Sequence, residues 1–178
     1  MSEETLGSAR LLVFRVGTLA CATEVDQVRE ILPRLPTTRI PGAPPVVAGL
    51  VNVRGTLVTV VEGWRALGQA PPALPSSGLP TEAAQESPGS TIILELGGDA
   101  DNGGLRLIGF TVDEVLDLLA GGEIALEDRK GLPGVDPTLV RAVGRRDKEL
   151  VIVLDVAALL GPILTTQGAS SEPHGSRL

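Results

Sequence analysis

The chain is poor in the residues on which most binding and catalytic chemistry depends. It has no tyrosine, one tryptophan and two phenylalanines, so aromatics make up 2% of its 178 residues. Binders of single-stranded nucleic acid use stacking aromatics along a basic groove. This chain carries 15 basic against 22 acidic side chains, a net charge of -7, and nucleic acid and anionic membrane are not expected partners. The lone cysteine, Cys21, has no partner for an internal disulfide, and the single histidine, His174, stands near the end of the sequence. A cysteine/histidine zinc site is therefore excluded, and the usual neutral-pH general base is missing from the part expected to fold.

Other absences point the same way. Neither a Gly-x-Gly-x-x-Gly nor a Gly-Lys-Ser/Thr phosphate cradle occurs. "GGDADNGG" offers Asp99, Asp101 and Asn102 to a cation, but Phe110 stands where a calcium loop needs its closing glutamate, so the stretch reads as a hairpin turn. Asp26, Glu30, Asp113, Glu114 and Asp117 supply carboxylates for a glycosidase-type pair, yet acids in the first turn of a helix are also what the helix dipole favours. No catalytic residue, metal or cofactor is assigned. "MSEETLGSAR" lacks the basic start and apolar core of a signal peptide, and no run approaches the roughly 18 apolar residues of a membrane helix. A cytoplasmic protein without direct membrane insertion is expected.

What the chain does have is aliphatic sequence, at 43% hydrophobic overall, arranged twice. "VDQVREIL" (25–32) and "VDEVLDLL" (112–119) align without a gap, "IPGAPP" (40–45) pairs with "LPGVDP" (132–137), and "LVTVVEGWRALG" (57–68) pairs with "LVIVLDVAALLG" (150–161). Each copy also opens with two β-prone runs around a turn. Four blocks in one order indicate a duplication, and a copy of about 60 ordered residues is marginal for a core of its own. The expected fold is mainly β: two pseudo-symmetric five-stranded SH3/OB-like β-barrels sharing a seam, with short helices. Helical spacing of Val25, Val28 and Ile31/Leu32, stopped by Pro33, places 25–32 on one of those helices, with 112–119 showing the same grammar.

The domain is expected over 8–163, with repeats at about 10–68 and 91–161. Residues 69–90, rich in Pro, Ser, Gly and Ala, read as a flexible linker; Pro72-Ala73-Leu74-Pro75 formally matches a polyproline recognition motif, but an extended solvated spacer fits the composition better. Residues 1–7 and 164–178 read as disordered tails.

With catalysis unsupported, binding remains, and the copies differ where it would be written. The first carries "NVRG" at its last hairpin, the second "GRRDK". Arg54, between Val53 and Gly55, suits an interface whose charged anchor is ringed by apolar side chains; an internal ion pair with Glu30 or Glu62 is the alternative.

The run "QVREIL", "RIPGAPPVVAGLVNVRG", "LVTVVEGWRALG", continued by "IGFTVDEVLDLL" and "LVIVLDVAALL", resembles the CheW-like domain family from about residue 10 to 162. It departs from the family pattern at Thr59, where a proline is usual, and at Glu62-Gly63-Trp64, which replaces Asp-Leu before Arg65. The resemblance implies a non-enzymatic adaptor linking the cytoplasmic tip of a methyl-accepting receptor to the SH3-like regulatory domain of the histidine kinase CheA. It carries binding roles onto Val28, Glu30 and Ile31, and onto Gly49, Asn52, Val53, Arg54 and Gly55, with Arg54 the expected receptor contact. Core packing is the competing reading for the valines, and a solvated face for Glu30. The competing function is a β-barrel sensor holding a small apolar ligand or a peptide in a valine-lined seam.

Overall fold

The computed structural model describes residues 8–72, 89–97, 104–120, 122–127 and 135–167. The first copy supplies strands β1 (Leu11–Val16), β2 (Leu19–Glu24), β3 (Val28–Pro33), β4 (Val47–Val53) and β5 (Thr56–Glu62), and then the one-turn helix α1 (Gly63–Ala66). The second supplies β6 (Ser90–Leu96), β7 (Arg106–Val112), β8 (Glu114–Leu119), β9 (Ala125–Glu127), β10 (Val140–Arg146) and β11 (Glu149–Leu154), then helix α2 (Val156–Gln167).

The strands form one sheet in the order β8-β1-β2-β11-β10-β9 and another in the order β3-β6-β7-β5-β4. Under the repeat alignment the two orders are the same over five strands, and the short β9 adds a sixth to the first sheet without a counterpart in the second. In each sheet the opening hairpin of one copy is inserted among strands of the other, four in the first sheet and three in the second, and each insertion makes one parallel contact, β2 with β11 and β7 with β5. The duplication is thus correct, but neither copy builds a barrel alone. Among the described residues no ladder joins the edge strands, so both barrels are open.

The hydrophobic runs are nearly continuous because both faces of each sheet are covered. Leu12, Phe14 and Val16 of β1 point into a seam between the sheets, whereas Leu11 and Val13 point into the concave side of their own sheet. Among the described residues the seam holds 22 buried side chains against nine and five in the two concave clusters, so it is the main core. Phe14 and Phe110 meet there edge to face at 6.1 Å. Each such buried side chain contributes about 1.5–3 kcal/mol, and the contribution is shared between the copies.

One local expectation fails. Residues 25–32 and 112–119 are not helices: Val25–Gln27 makes one 3-10 turn ahead of β3, and the second stretch is strand β8. Both strands carry a β-bulge at equivalent places. Arg29 is extra between Val28, opposite Leu94, and Glu30, opposite Ile93; Leu116 is extra between Val115, opposite Phe14, and Asp117, opposite Val13. An inserted residue turns a spacing of two into a spacing of three, which imitates a helix in sequence while the backbone stays paired.

Other boundaries shift. α2 runs to Gln167, past the expected end at 163, and β6 begins at Ser90, inside the expected linker. Most of that linker (73–88), the tip of "GGDADNGG", the start of "LPGVDP" and the segments 1–7 and 168–178 lie outside the described residues. Strands β6 and β7 do pair as a hairpin, Leu96 opposite Arg106.

Candidate functional site

Val53 pairs with Thr56, leaving Arg54-Gly55 as a two-residue hairpin loop. Both have positive φ, 51° and 86°, the signature of a type I′ turn, which matches the twist of the flanking strands. Asn52 fastens the turn by accepting a hydrogen bond from the Gly55 amide at 2.8 Å. The strand pattern drives Val53 inward, where it is buried with Val51, Val58 and Val60, so the next side chain emerges at the tip.

There the Arg54 side chain is 82% exposed, and its Nη2 donates to Glu30 Oε2 at 2.9 Å. Water solvates the guanidinium, so the apolar neighbours impose no burial cost on it. The contact also reports shape. Glu30 lies on edge strand β3 and Arg54 joins β4 to β5 at the opposite edge, so the sheet curls until its two rims touch through this ion pair.

Of the sequence-predicted residues, Glu30, Asn52, Arg54 and Gly55 come together at the hairpin tip. The others do not join them in one surface. Val53 is a core residue, and Val28 is half-buried against the seam. Ile31, opposite Ile92 on the other face of β3 from Glu30, is 42% exposed. Gly49 is structural: with φ 151° it lies against Thr38, whose carbonyl oxygen would stand 2.3 Å from an added Cβ, and Thr38 and Leu50 exchange two backbone hydrogen bonds of 2.8 Å beside it.

The second copy holds a counterpart that sequence reading passed over. Asp117, aligned with Glu30, accepts from Arg146 Nη2 at 2.6 Å next to the turn at Asp147, whose φ of 55° matches that of Arg54. Leu118, aligned with Ile31, is likewise exposed. A backbone hydrogen bond from Leu118, then Arg146, holds the Asp117 carboxyl below its ordinary value of 3.8. The signal was present in the register of "VREIL" against "VLDLL".

Burial pushes the Cys21 thiol up to about 12, against a small opposing effect of Arg15, so it is not poised as a nucleophile. Among the described residues no cluster of His, Cys, Asp or Glu is arranged to hold a metal, and no helix is long and apolar enough to cross a membrane.

Comparison with known proteins agrees with this architecture. The chain is 38% identical over 64 residues to a chemotaxis protein CheW of Rhizobium meliloti, a stretch covering 36% of this chain and 41% of that one. It is 24% identical over 161 residues to a chemotaxis protein CheW of Bacillus subtilis, covering 90% and 92% of the two chains. The crystal structure of the scaffolding protein TtCheW from Thermoanaerobacter tengcongensis superposes with a TM-score of 0.68 at 19% identity, over 86% of this chain and 92% of that one. The CheW-like domain model matches residues 10–163, and this chain belongs to the CheW-like domain family.

Proposed function

We propose that the protein is a non-enzymatic chemosensory adaptor, which couples methyl-accepting receptors to a CheA-type histidine kinase through protein–protein contacts on the cytoplasmic side of the membrane. Family membership supports a role in chemotaxis, and relatives are named chemotaxis proteins and a scaffolding protein. The observation that carries the site assignment is Arg54: a guanidinium at a hairpin tip, 82% exposed and oriented by one carboxylate. Its remaining donors can take a partner's carboxylate or backbone carbonyls in one plane. Glu30, Asn52 and Gly55 complete the tip, and the exposed Ile31 offers apolar area on the opposite face of β3, as a separate contact.

A sensor with a ligand in the seam has less support. Phe14, Phe110, Ile92 and Leu159 leave a void of only about 10 Å³ there, room for no more than a water.

The test is binding of the Arg54→Glu variant to a receptor cytoplasmic-tip fragment and, separately, to a kinase regulatory domain. Receptor affinity is expected to fall by about 2–5 kcal/mol, while the free protein's melting temperature changes little, since an exposed ion pair contributes about 1 kcal/mol or less. Unfolding of the variant, with binding spared in the folded fraction, would make Arg54 a structural charge.

A further inference from the structure

The β4–β5 hairpin has a second arginine-bearing feature at its other end, roughly 20 Å from Arg54 for a seven-residue strand. There the loop between β3 and β4 stands over α1 and leaves an open groove of about 590 Å³. Pro41, Pro44 and Pro45 form part of its wall, and Arg39 and Arg65, both exposed, line it.

The charge in this groove is unbalanced. Glu62 also borders it, but its carboxylate is committed: Oε2 accepts from Arg34 Nη2 at 2.6 Å and from Trp64 Nε1 at 2.8 Å, with the Thr111 hydroxyl at 3.4 Å. Arg34 thereby offsets the one acid. Neither Arg39 nor Arg65 makes an ion pair among the described residues. Arg65 is nevertheless held in place, its guanidinium carbon 4.6 Å from the centre of the Trp64 ring, a stacking that fixes the plane and leaves the N–H donors free. Two unpaired guanidiniums in a concave site are notable in a chain of net charge -7.

We propose that this groove docks an acidic peptide segment of a partner protein, whose carboxylates are clamped by Arg39 and Arg65 while its backbone lies along the proline wall. Guanidinium forks match carboxylates two bonds at a time, and concave low-dielectric walls focus the local positive field against the negative background of the rest of the molecule. The prolines hold their φ angles fixed, so the wall is ordered before the ligand arrives and less conformational entropy is lost on binding. The volume falls within the range of about 300–1,000 Å³ usual for ligand clefts, and its apolar wall gives a peptide buried area that a free anion cannot use.

Trp64, the chain's only tryptophan, makes the test direct. The full-length protein is titrated with hexaglutamate, hexaglutamine and free glutamate at low and high ionic strength, with tryptophan emission and calorimetry as the readouts. Hexaglutamate should change the emission saturably and bind more weakly in high salt, and hexaglutamine should not bind. The double variant R39Q/R65Q should lose at least about tenfold in affinity, the effect of a lost hydrogen bond to a charged group, whereas Arg54→Gln should leave the change in Trp64 emission as it is, because Trp64 stacks on Arg65 in the groove and not at the hairpin tip. That last arm separates this groove from the hairpin tip, so failure of one assignment does not carry the other. Should the double variant melt early, Arg39→Gln alone gives the reading. Absence of saturable binding to wild type, an unchanged affinity in the folded variant, or free glutamate binding as tightly as the peptide would each overturn the proposal.

Discussion

Strands β5 and β11 hold equivalent places in the two sheets, yet the segments that leave them differ. After β11, the Asp155 carboxylate accepts from the Ala158 amide at 2.9 Å, and α2 runs for 12 residues, sealing the seam with Leu159, Leu160 and Ile163. After β5, the aligned acid Glu62 turns to Arg34 and Trp64, and α1 lasts four residues. Glu62-Gly63-Trp64-Arg65 thus stands where the second copy has Asp155-Val156-Ala157-Ala158. One copy closes the core at this point and the other leaves a groove lined by a stacked arginine. The same division appears at the hairpin tips. Arg54 projects at 82% exposure, whereas Arg146 and Asp117 are 39% and 42% exposed against the sheet. The duplication conserves the sheets and lets the ends diverge, because strand pairing constrains every residue in a sheet while a loop or helix end answers only to its neighbours.

The comparison is broken most completely by separating the copies. Expressed apart, residues 1–70 and 90–165 should each lack a stable fold by circular dichroism and amide-proton dispersion, because β1–β2 loses β8 and β11 and β6–β7 loses β3 and β5. Mixing the fragments should restore structure. Two stably folded, monomeric fragments would contradict the shared seam.

A smaller but still large effect is expected from giving the first copy the second copy's residue, Gly63→Val. Gly63 is buried, and an added Cβ would stand 2.1 Å from the Thr111 carbonyl oxygen and 3.1 Å from the Phe110 ring. Backbone must move, at a cost of about 3 kcal/mol, measurable by urea denaturation. An unchanged midpoint would show that the short helix is not dictated by this close contact.

The smallest effect concerns the ion pair of the second copy, Asp117 with Arg146. Because the folded-state carboxyl of Asp117 titrates below its ordinary 3.8, its stabilising contribution is present above that value and is lost as pH falls through the lowered one. Asp117→Asn should therefore narrow the stability difference between neutral and strongly acidic solution, leaving the rest of the acid transition in place. A pH series of thermal melts checks this, and an identical acid profile in the variant would remove Asp117 from the account.

The composition, the repeat and the strand-rich runs were legible in the sequence because they depend on local preference and on the need to cover both faces of a sheet. "VNVRGTLV" announced a tight hairpin through its Arg-Gly between alternating valines. The bulges at Arg29 and Leu116 were not legible, since an extra residue in a paired strand and a helical turn leave the same spacing. The groove at Arg39 and Arg65 was also hidden: nothing in "TTRIPGAPP" tells which arginine finds a carboxylate, and Glu62 was free to pair with either neighbour until the fold placed Arg34 beside it.

The sequence by itself determined that the chain would be β-rich, doubled, and poor in histidine, cysteine and aromatic side chains, because residue type and order along the chain suffice for these. Only the tertiary structure decided that each sheet would borrow the other copy's hairpin, that Arg54 would span a curled sheet to reach Glu30, and that Val53 would turn inward while Arg54 turned out. Those outcomes depend on pairings between residues far apart in sequence, where loop closure and burial, rather than local preference, select the partner.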